Sequence, residues 1–431
     1  MKKILIISYY YPPLNDVGGL RALAFSKYLP EFGWQPYVLS VKNPDKGWCI
    51  LGNSKPPDRV KVYYTWSLIN LTRATGKLNG LLARIVNPFG IELNKPLVRD
   101  LLCIPDQFIG WIPLTFIKAL NLIRKNNIDL IYVSCKPFSS AIIGALLKYV
   151  AKKPLVLDFR DPISPLFSRH DGCYKHLPTF QLTKRMEEII LQNTDKFIVV
   201  TKETKELYLS NFPFLNNKIH VIYNGFMEDY FSLNPGPFEK FTIVYSGNFY
   251  AEIIPPDPFF KALQLVINEN NSLKDEIQFL YVGKNADWLK AMVKKYNLHD
   301  VVKVTGYVSR QKSIEYIFKS SILLLRIVPA MISTKLFEGL AAGLPILALI
   351  NKGEVEQIIK TYSKAPYYIV KPDDIYGIAQ AIKDAYKKWQ NGELEKKKNP
   401  EYCNDFNKRN LTAKFAEILD KTCEHSNIST F

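Results

Sequence analysis

Residues 322–349 read ILLLRIVPAMISTKLFEGLAAGLPILAL, and this stretch decides the fold class. Two apolar runs, Ile322–Ile327 and Pro345–Leu349, flank a segment in which Ser333 or Thr334 can cap a helix and Gly343 can end it in a left-handed turn. Continuous Ile/Leu runs suit strands covered on both faces, as in parallel sheets, and a helix between them is the crossover that parallel pairing requires. Ligands of open parallel sheets bind beyond the carboxyl ends of the strands, where such a helix begins. First-turn amides, the helix dipole and Lys335 together suit a diphosphate, and Glu338, one turn on, can accept two hydrogen bonds from a ribose. Gly339, Ala341, Ala342 and Gly343 allow close packing behind them. An ordinary capped helix with an i,i+3 Lys–Glu pair fits the same residues.

Outward from this unit the alternation repeats. On the amino side, strands are predicted at Lys3–Ser8, Pro36–Val41, Val60–Tyr64, Asp129–Ser134, Pro154–Asp158, Lys196–Thr201 and Lys218–Ile222, with helical patterns such as Arg21–Phe32 and Ser139–Val150 between them. The pattern pauses at Asn224–Lys240, where Asn-Gly and Pro-Gly-Pro supply turn and linker chemistry. It resumes at Thr242–Ser246, Ile277–Val282, Val301–Thr305, the two strands already described, and Tyr367–Val370. The expected fold is α/β, with two Rossmann-like doubly wound domains facing across a cleft. The amino-terminal domain covers residues 1–235, the second covers 236–404, and the tail 405–431 is a helix packing back on the first.

Composition narrows the partners. The chain has 431 residues and a net charge of +17, and 47% of its residues are hydrophobic, as in folded proteins. Residues 1–200 carry 27 Lys+Arg against 14 Asp+Glu, so most of the excess lies in the first half. That asymmetry suits an anionic partner, although a lysine-rich solubilising surface produces it too. Cys49, Cys103, Cys135, Cys173, Cys403 and Cys423 form no CxxC pair or zinc spacing, so no metal is expected, and scattered thiols fit a reducing cytoplasm. The opening MKKILIISYYYPP has too short an apolar run for a secretory leader and reads as a first buried strand. Basic amphipathic stretches at Ser67–Ile85 and Gly110–Asn126, the latter with Trp111, Phe116, Lys118, Arg124 and Lys125, suit either a half-buried domain helix or peripheral contact with an anionic membrane.

Around these elements the chain resembles a family. KLFEGLAAGLPILAL is similar to the donor-site segment of family 4 GT-B glycosyltransferases, usually E-x7-E followed by A-x-x-A-G-x-P. Glu338 matches the second glutamate, which the resemblance assigns to the nucleotide ribose; the first falls on Ala330, so one carboxylate near the transferred sugar is replaced. The opening strand, Gly18, Gly19 and Arg21 resemble the family's glycine loop, placed to meet a diphosphate or an acceptor. Gly-Gly alone is a weak signal and is not the GxGxxG fingerprint of a dinucleotide site. LVLDFRDPI, residues 155–163, puts Arg160 and Asp161 where many relatives have His-Asp. Arg160 can offset phosphate charge and Asp161 can orient or deprotonate an acceptor hydroxyl, or the two can be a buried structural pair. VIYNGF, residues 221–226, resembles the family's passage into the linker. YSGNFY opens the second domain with Gly247, but lacks the Arg and Lys that relatives often place next, so Lys335 and Lys284 are the substitutes. Gly306-Tyr307-Val308 resembles the loop against which the base packs.

The resemblance implies transfer of a sugar from a nucleotide-diphosphate-sugar to a hydroxyl, with retention and without a metal or other cofactor. The expected acceptor is a lipid-linked or polysaccharide intermediate of cell-surface glycan synthesis, on the cytoplasmic side of the plasma membrane. A non-catalytic sugar-nucleotide-binding protein is the main alternative, because of Ala330. An epimerase would need acid/base groups, and His170, His176, His220, His299 and His425 fall in no family motif. Nucleic acid is not an expected partner, since no zinc spacing, aromatic RNP pattern or arginine cluster is present.

Overall fold

The structure is a computed structural model that describes residues 1–14, 17–44, 55–68, 84, 104–164, 178–228, 235–249, 253–327 and 332–428. The chain divides into two compact units, Met1–Tyr223 with Thr412–Phe431, and Asn224–Leu411.

Unit 1 contains strands β1 (Lys2–Ser8), β2 (Trp34–Val41), β3 (Lys61–Thr65), β4 (Leu130–Cys135), β5 (Leu155–Phe159), β6 (Lys196–Val199) and β7 (Ile219–Val221). They form a seven-stranded sheet in the order β3-β2-β1-β4-β5-β6-β7, and every pairing is parallel. Its helices are α1 (Leu20–Tyr28), α2 (Ile112–Asn126), α3 (Ser139–Ala151), α4 (Pro178–Gln192) and α5 (Lys202–Asn211). Strand order reverses between β1 and β4, the usual place for a ligand in such a sheet.

The strands read as unbroken apolar runs because both faces are covered. Ile131 and Val133 join a core with Ala119, Leu122 and Ile123 of α2 and Ala141, Ile143 and Leu147 of α3. Tyr132, between them, points to the other face, where its ring lies 4.9 Å from that of Phe415 and 5.7 Å from that of Phe25 in α1.

Unit 2 repeats the plan with β8 (Phe241–Ser246), β9 (Ile277–Val282), β10 (Val302–Val304), β11 (Ile322–Arg326), β12 (Ile346–Leu349) and β13 (Tyr367–Val370). Their order is β10-β9-β8-β11-β12-β13, again parallel throughout. The intervening helices are α6 (Asp257–Glu269), α7 (Leu273–Glu276), α8 (Ala286–Lys295), α9 (Arg310–Lys319), α10 (Thr334–Ala341), α11 (Glu354–Tyr362), α12 (Ile375–Gln390) and α13 (Pro400–Phe406). A last helix, α14 (Lys408–Ile428), starts in unit 2 and returns to unit 1, where Phe415 stacks on Phe25 at 4.2 Å and Asp420 pairs with Lys2 at 2.7 Å.

The two doubly wound sheets are those expected from sequence. The division falls at Tyr223/Asn224 and Leu411/Thr412, earlier and later than the boundaries read from the linker and tail. The reason is local. Phe226 bridges Asn407, donates its amide to Phe406 O at 3.1 Å and accepts from Lys408 N at 3.0 Å, so the start of the linker is stitched into unit 2.

Of the amphipathic stretches, 69–83 and Ile85 lie outside the described residues. In the other, Trp111 is fully buried and donates Nε1–H to Thr65 Oγ1 at 3.0 Å, and Phe116 packs on the core, while Ile117 and Pro113 of α2 are exposed. This is the half-buried domain helix. Among the described residues no helix is long and apolar enough to cross a membrane.

Candidate active site

In unit 2, the helix predicted at residue 334 forms as expected. Ser333 caps it, its side chain accepting from Lys335 N at 3.2 Å, and Gly343 ends it at φ 68°. Leu344 N donates to Gly339 O at 3.0 Å, closing the left-handed stop. From behind, Tyr402 of α13 donates its hydroxyl to Phe337 O at 3.1 Å.

Glu338 is almost completely buried, and cations meet both of its oxygens. Arg310, the first residue of α9, pairs with Oε1, and Lys335 lies 3.5 Å from Oε2. Lys408 is also buried and adds a third positive charge near Lys335. Burial, then repulsion by Arg310 and Lys408, holds the Lys335 ammonium well below the ordinary lysine range. Basic side chains from the starts of three helices, Arg310, Lys335 and Lys408, thus gather around the first turn of α10. The plain i,i+3 pair is therefore present, but within a larger cluster.

The neighbouring loops converge at the carboxyl ends of β8, β9 and β10. Gly247 N donates to Val282 O at 2.9 Å, and a Cβ on Gly283 would collide with the Gly247 carbonyl, so only glycine fits there. Asn248 Oδ1 accepts from Lys284 N at 2.7 Å. The Lys284 ammonium lies 5.8 Å from the centre of the Tyr307 ring, which is 45% exposed. Ser246 at the end of β8 hydrogen-bonds Ser313 of α9 at 2.7 Å, which fixes the helix that carries Arg310. Gly247, Lys284 and Tyr307 thus form one group, and Ser333, Thr334, Lys335 and Glu338 another, both on the same sheet edge. Position 330 lies outside the described residues.

In unit 1, Gly18 and Gly19 form a buried turn before α1. A Cβ on Gly19 would lie 2.8 Å from Tyr10 O, so the loop after β1 closes tightly on it. The Arg160 guanidinium sits 5.9 Å from the Tyr10 ring, and its Nε donates to Cys135 O at 3.3 Å. Asp161 pairs with Lys136, after β4, at 3.0 Å. Burial pushes the Asp161 carboxyl up, but Lys136 and Arg160 outweigh it and hold the group below the usual carboxylate range. Gly19, Arg160 and Asp161 therefore meet where β1, β4 and β5 end.

Arg21 does not join them. Expected on a phosphate-facing wall, it is 4% exposed, donates Nε–H to Asp158 Oδ2 at 2.5 Å and Nη1–H to Tyr223 O at 2.9 Å. Tyr132 donates to the same Asp158 oxygen at 2.7 Å. A fully buried carboxylate on β5 needs a cation more than a surface loop does, and Arg21 supplies it.

Comparison with known proteins now decides what this pair of units is. Residues 83–229 match the family described as Glycosyltransferase Family 4, and residues 240–388 match Glycosyl transferases group 1; together they span well over half of the chain. The chain is a GT-B glycosyltransferase of the family 4 type. It is 22% identical over 283 residues to an uncharacterized glycosyltransferase from Methanocaldococcus jannaschii, covering 62% of this chain and 69% of that protein. Its fold is similar to sucrose-phosphate synthase from Thermosynechococcus elongatus, with TM-score 0.68, 16% identity, and coverage of 98% of this chain and 99% of that one. It is also similar to WaaG, a glycosyltransferase involved in lipopolysaccharide biosynthesis, with TM-score 0.60, 12% identity, and coverage of 96% and 99%.

Sequence reading missed three residues of this glycosyltransferase's candidate site: Arg310, Lys408 and Lys136. Arg310 carries a faint signal, since it follows the capping residue Ser309 directly after Gly306-Tyr307-Val308. Lys136 stands just beyond a strand end, where side chains at a switch point collect. Lys408 has no sequence signal, because tertiary contacts such as the Tyr402–Phe337 hydrogen bond and the Phe337–Phe406 ring contact bring this part of the chain beside α10.

Proposed function

We propose that this glycosyltransferase moves a glycosyl group from a nucleotide-diphosphate-sugar held by unit 2 to a hydroxyl acceptor held by unit 1. The observation that carries the reading is the capped start of α10, where Arg310 and Lys335 meet the carboxylate of Glu338 and Lys408 adds its charge beside Lys335. A diphosphate leaving group develops negative charge in the transition state, and backbone amides, helix dipoles and fixed cations stabilise it there. Lys335 and the Ser333/Thr334 amides take the diphosphate, with Arg310 beside them. Glu338 retains acceptor capacity for ribose hydroxyls, since a carboxylate offers about four lone-pair positions. Gly247, Lys284 and Tyr307 receive the rest of the nucleotide.

On the acceptor side, Gly18, Gly19, Arg160 and Asp161 meet the hydroxyl. A carboxylate held below its usual range is a weak base, so Asp161 orients the acceptor rather than serving as its main proton acceptor. Transfer proceeds with retention and without a metal ion, to a lipid-linked or polysaccharide intermediate at the cytoplasmic face of the membrane. The basic charge of the first half favours such an acceptor.

A thermal-shift screen of UDP, GDP and their sugars tests the donor site, because a nucleotide that binds the folded state raises the melting temperature. Incubation of the nucleotide-sugar that binds with lipid extract then separates the outcomes. Transfer supports the reading, an isomerised sugar indicates an epimerase, and binding without turnover indicates a non-catalytic protein.

A further inference from the structure

We propose that Glu187 is the positioning residue that fixes the acceptor-side segment carrying Arg160 and Asp161. The inference rests on the reading that Asp161 meets the acceptor, but the placement it describes is testable without one.

Glu187 lies on α4, fully buried. Among the described residues its hydrogen bonds run to one short stretch and to that stretch's other anchor. Oε2 accepts from Ser164 N at 3.1 Å and from the Ser164 hydroxyl, and Oε1 accepts from Tyr208 OH at 2.8 Å. Tyr208, on α5, in turn accepts from Ile163 N at 3.1 Å. Two successive amides are thereby pinned by two different helices. Pro162, with its fixed φ, connects them to Asp161, so little freedom is left between the anchor and the acceptor-side carboxylate.

A carboxylate in an apolar core is costly, and an apolar side chain of similar size would suit stability better. What Glu187 supplies is a fixed direction for the chain leaving β5. Removing it would strand the Ser164 amide and hydroxyl without their acceptor.

The arrangement also responds to pH. The titratable and charged groups facing Glu187 are Tyr208 on α5, Lys184 on its own helix and, beside Tyr208, the Cys135 thiol at the end of β4. Burial pushes Glu187 up to about 7, against the hydrogen bonds from Ser164 and Tyr208 and the nearby Lys184 charge. Once protonated, the carboxyl donates from one oxygen and still accepts at the other, so the contacts with Ser164 and Tyr208 can persist in the neutral form. Because the closed fold raises this group above its ordinary value, opening is harder in the protonated state, and the segment should loosen as pH rises through about 7.

Hydrogen exchange of the peptide containing residues 160–164, corrected for intrinsic rates, tests this in the full chain. Wild-type protection at Ile163 and Ser164 should fall by up to about tenfold from about pH 6 to about pH 8, as the buried carboxyl loses its proton. Glu187→Gln, which cannot titrate, should exchange faster than wild type at the lower pH and change little as pH rises. Ser164→Ala, a milder variant that keeps the carboxylate, should show a smaller loss at the same amides. Turnover of the nucleotide-sugar identified by thermal shift should follow the same pH step in wild type and lose it in Glu187→Gln, with nucleotide affinity unchanged. Equal protection in variant and wild type at both pH values, or identical pH profiles of turnover, overturns the proposal. Absence of any turnover counts against the proposed function instead, and the exchange result still decides the placement.

Discussion

Arg310 opens α9 and Glu338 lies in the following helix, yet the guanidinium of one closes on Oε1 of the other while Lys335 approaches Oε2 at 3.5 Å. Glu338→Gln keeps the shape of this junction and removes its charge. The expected result is a donor KM raised about ten- to a hundredfold, the usual worth of hydrogen bonds to a charged group, with a smaller change in kcat. Steady-state kinetics against donor concentration reads it. A lower melting temperature with unchanged KM would reduce the cluster to a structural clamp.

Lys335→Ala should weaken nucleotide binding and slow transfer together. Because burial and two neighbouring cations depress its ionisation, the wild-type ammonium loses its proton at lower pH than an ordinary lysine. Nucleotide affinity should therefore decline as pH rises, from a lower pH than an ordinary lysine would give, and Lys335→Arg, which stays charged, should flatten that decline. Titration calorimetry across pH is the measurement; unchanged affinity in Lys335→Ala removes the residue from the site.

Arg21→Met should unfold more easily, by about 3–5 kcal/mol, because it leaves the buried Asp158 without its cation. Nucleotide affinity of the folded protein should not move. Denaturant unfolding with a parallel binding assay distinguishes this from a phosphate-facing role, which predicts the reverse pattern.

Glu187 also predicts a stability profile. Its carboxyl titrates at about 7 in the fold against 4.5 as an ordinary group, so the fold favours the protonated form. The associated stability is fully present below the unfolded value and is lost as pH rises through the folded one. The sign is thus opposite to that of a salt-bridged carboxylate. The free-energy difference between Glu187→Gln and wild type should shift towards the variant by up to about 3 kcal/mol between about pH 4.5 and about pH 8. Urea unfolding at several pH values checks it, and a flat difference would exclude a titrating Glu187.

Much of the architecture was legible because parallel strands buried on both faces leave an unmistakable trace, such as LIYVS at 130–134 or ILLL at 322–325. The α10 helix was legible for a different reason: its cap and its stop are local, so Ser333 and Gly343 announce it. The partners of the charged side chains were not. Arg21 and Asp158 are 137 residues apart, and nothing in the spacing of either shows that a buried carboxylate will claim the arginine. Arg310 was hidden because its role depends on how α9 settles beside α10, which the Ser246–Ser313 hydrogen bond helps to fix. The unit boundary was displaced by a single bridge, Phe226 to Asn407, that no turn residue advertises.

The return of α14 to the first sheet has a consequence for biosynthesis. Phe415 completes an aromatic cluster with Phe25 and Tyr132, so the earliest strands to emerge from the ribosome must wait for a segment made after all of residues 224–411. The second unit, continuous in sequence, can close first and carry that segment out with it. A nascent chain stalled before residue 412 would display an unfinished apolar face, inviting chaperones or self-association.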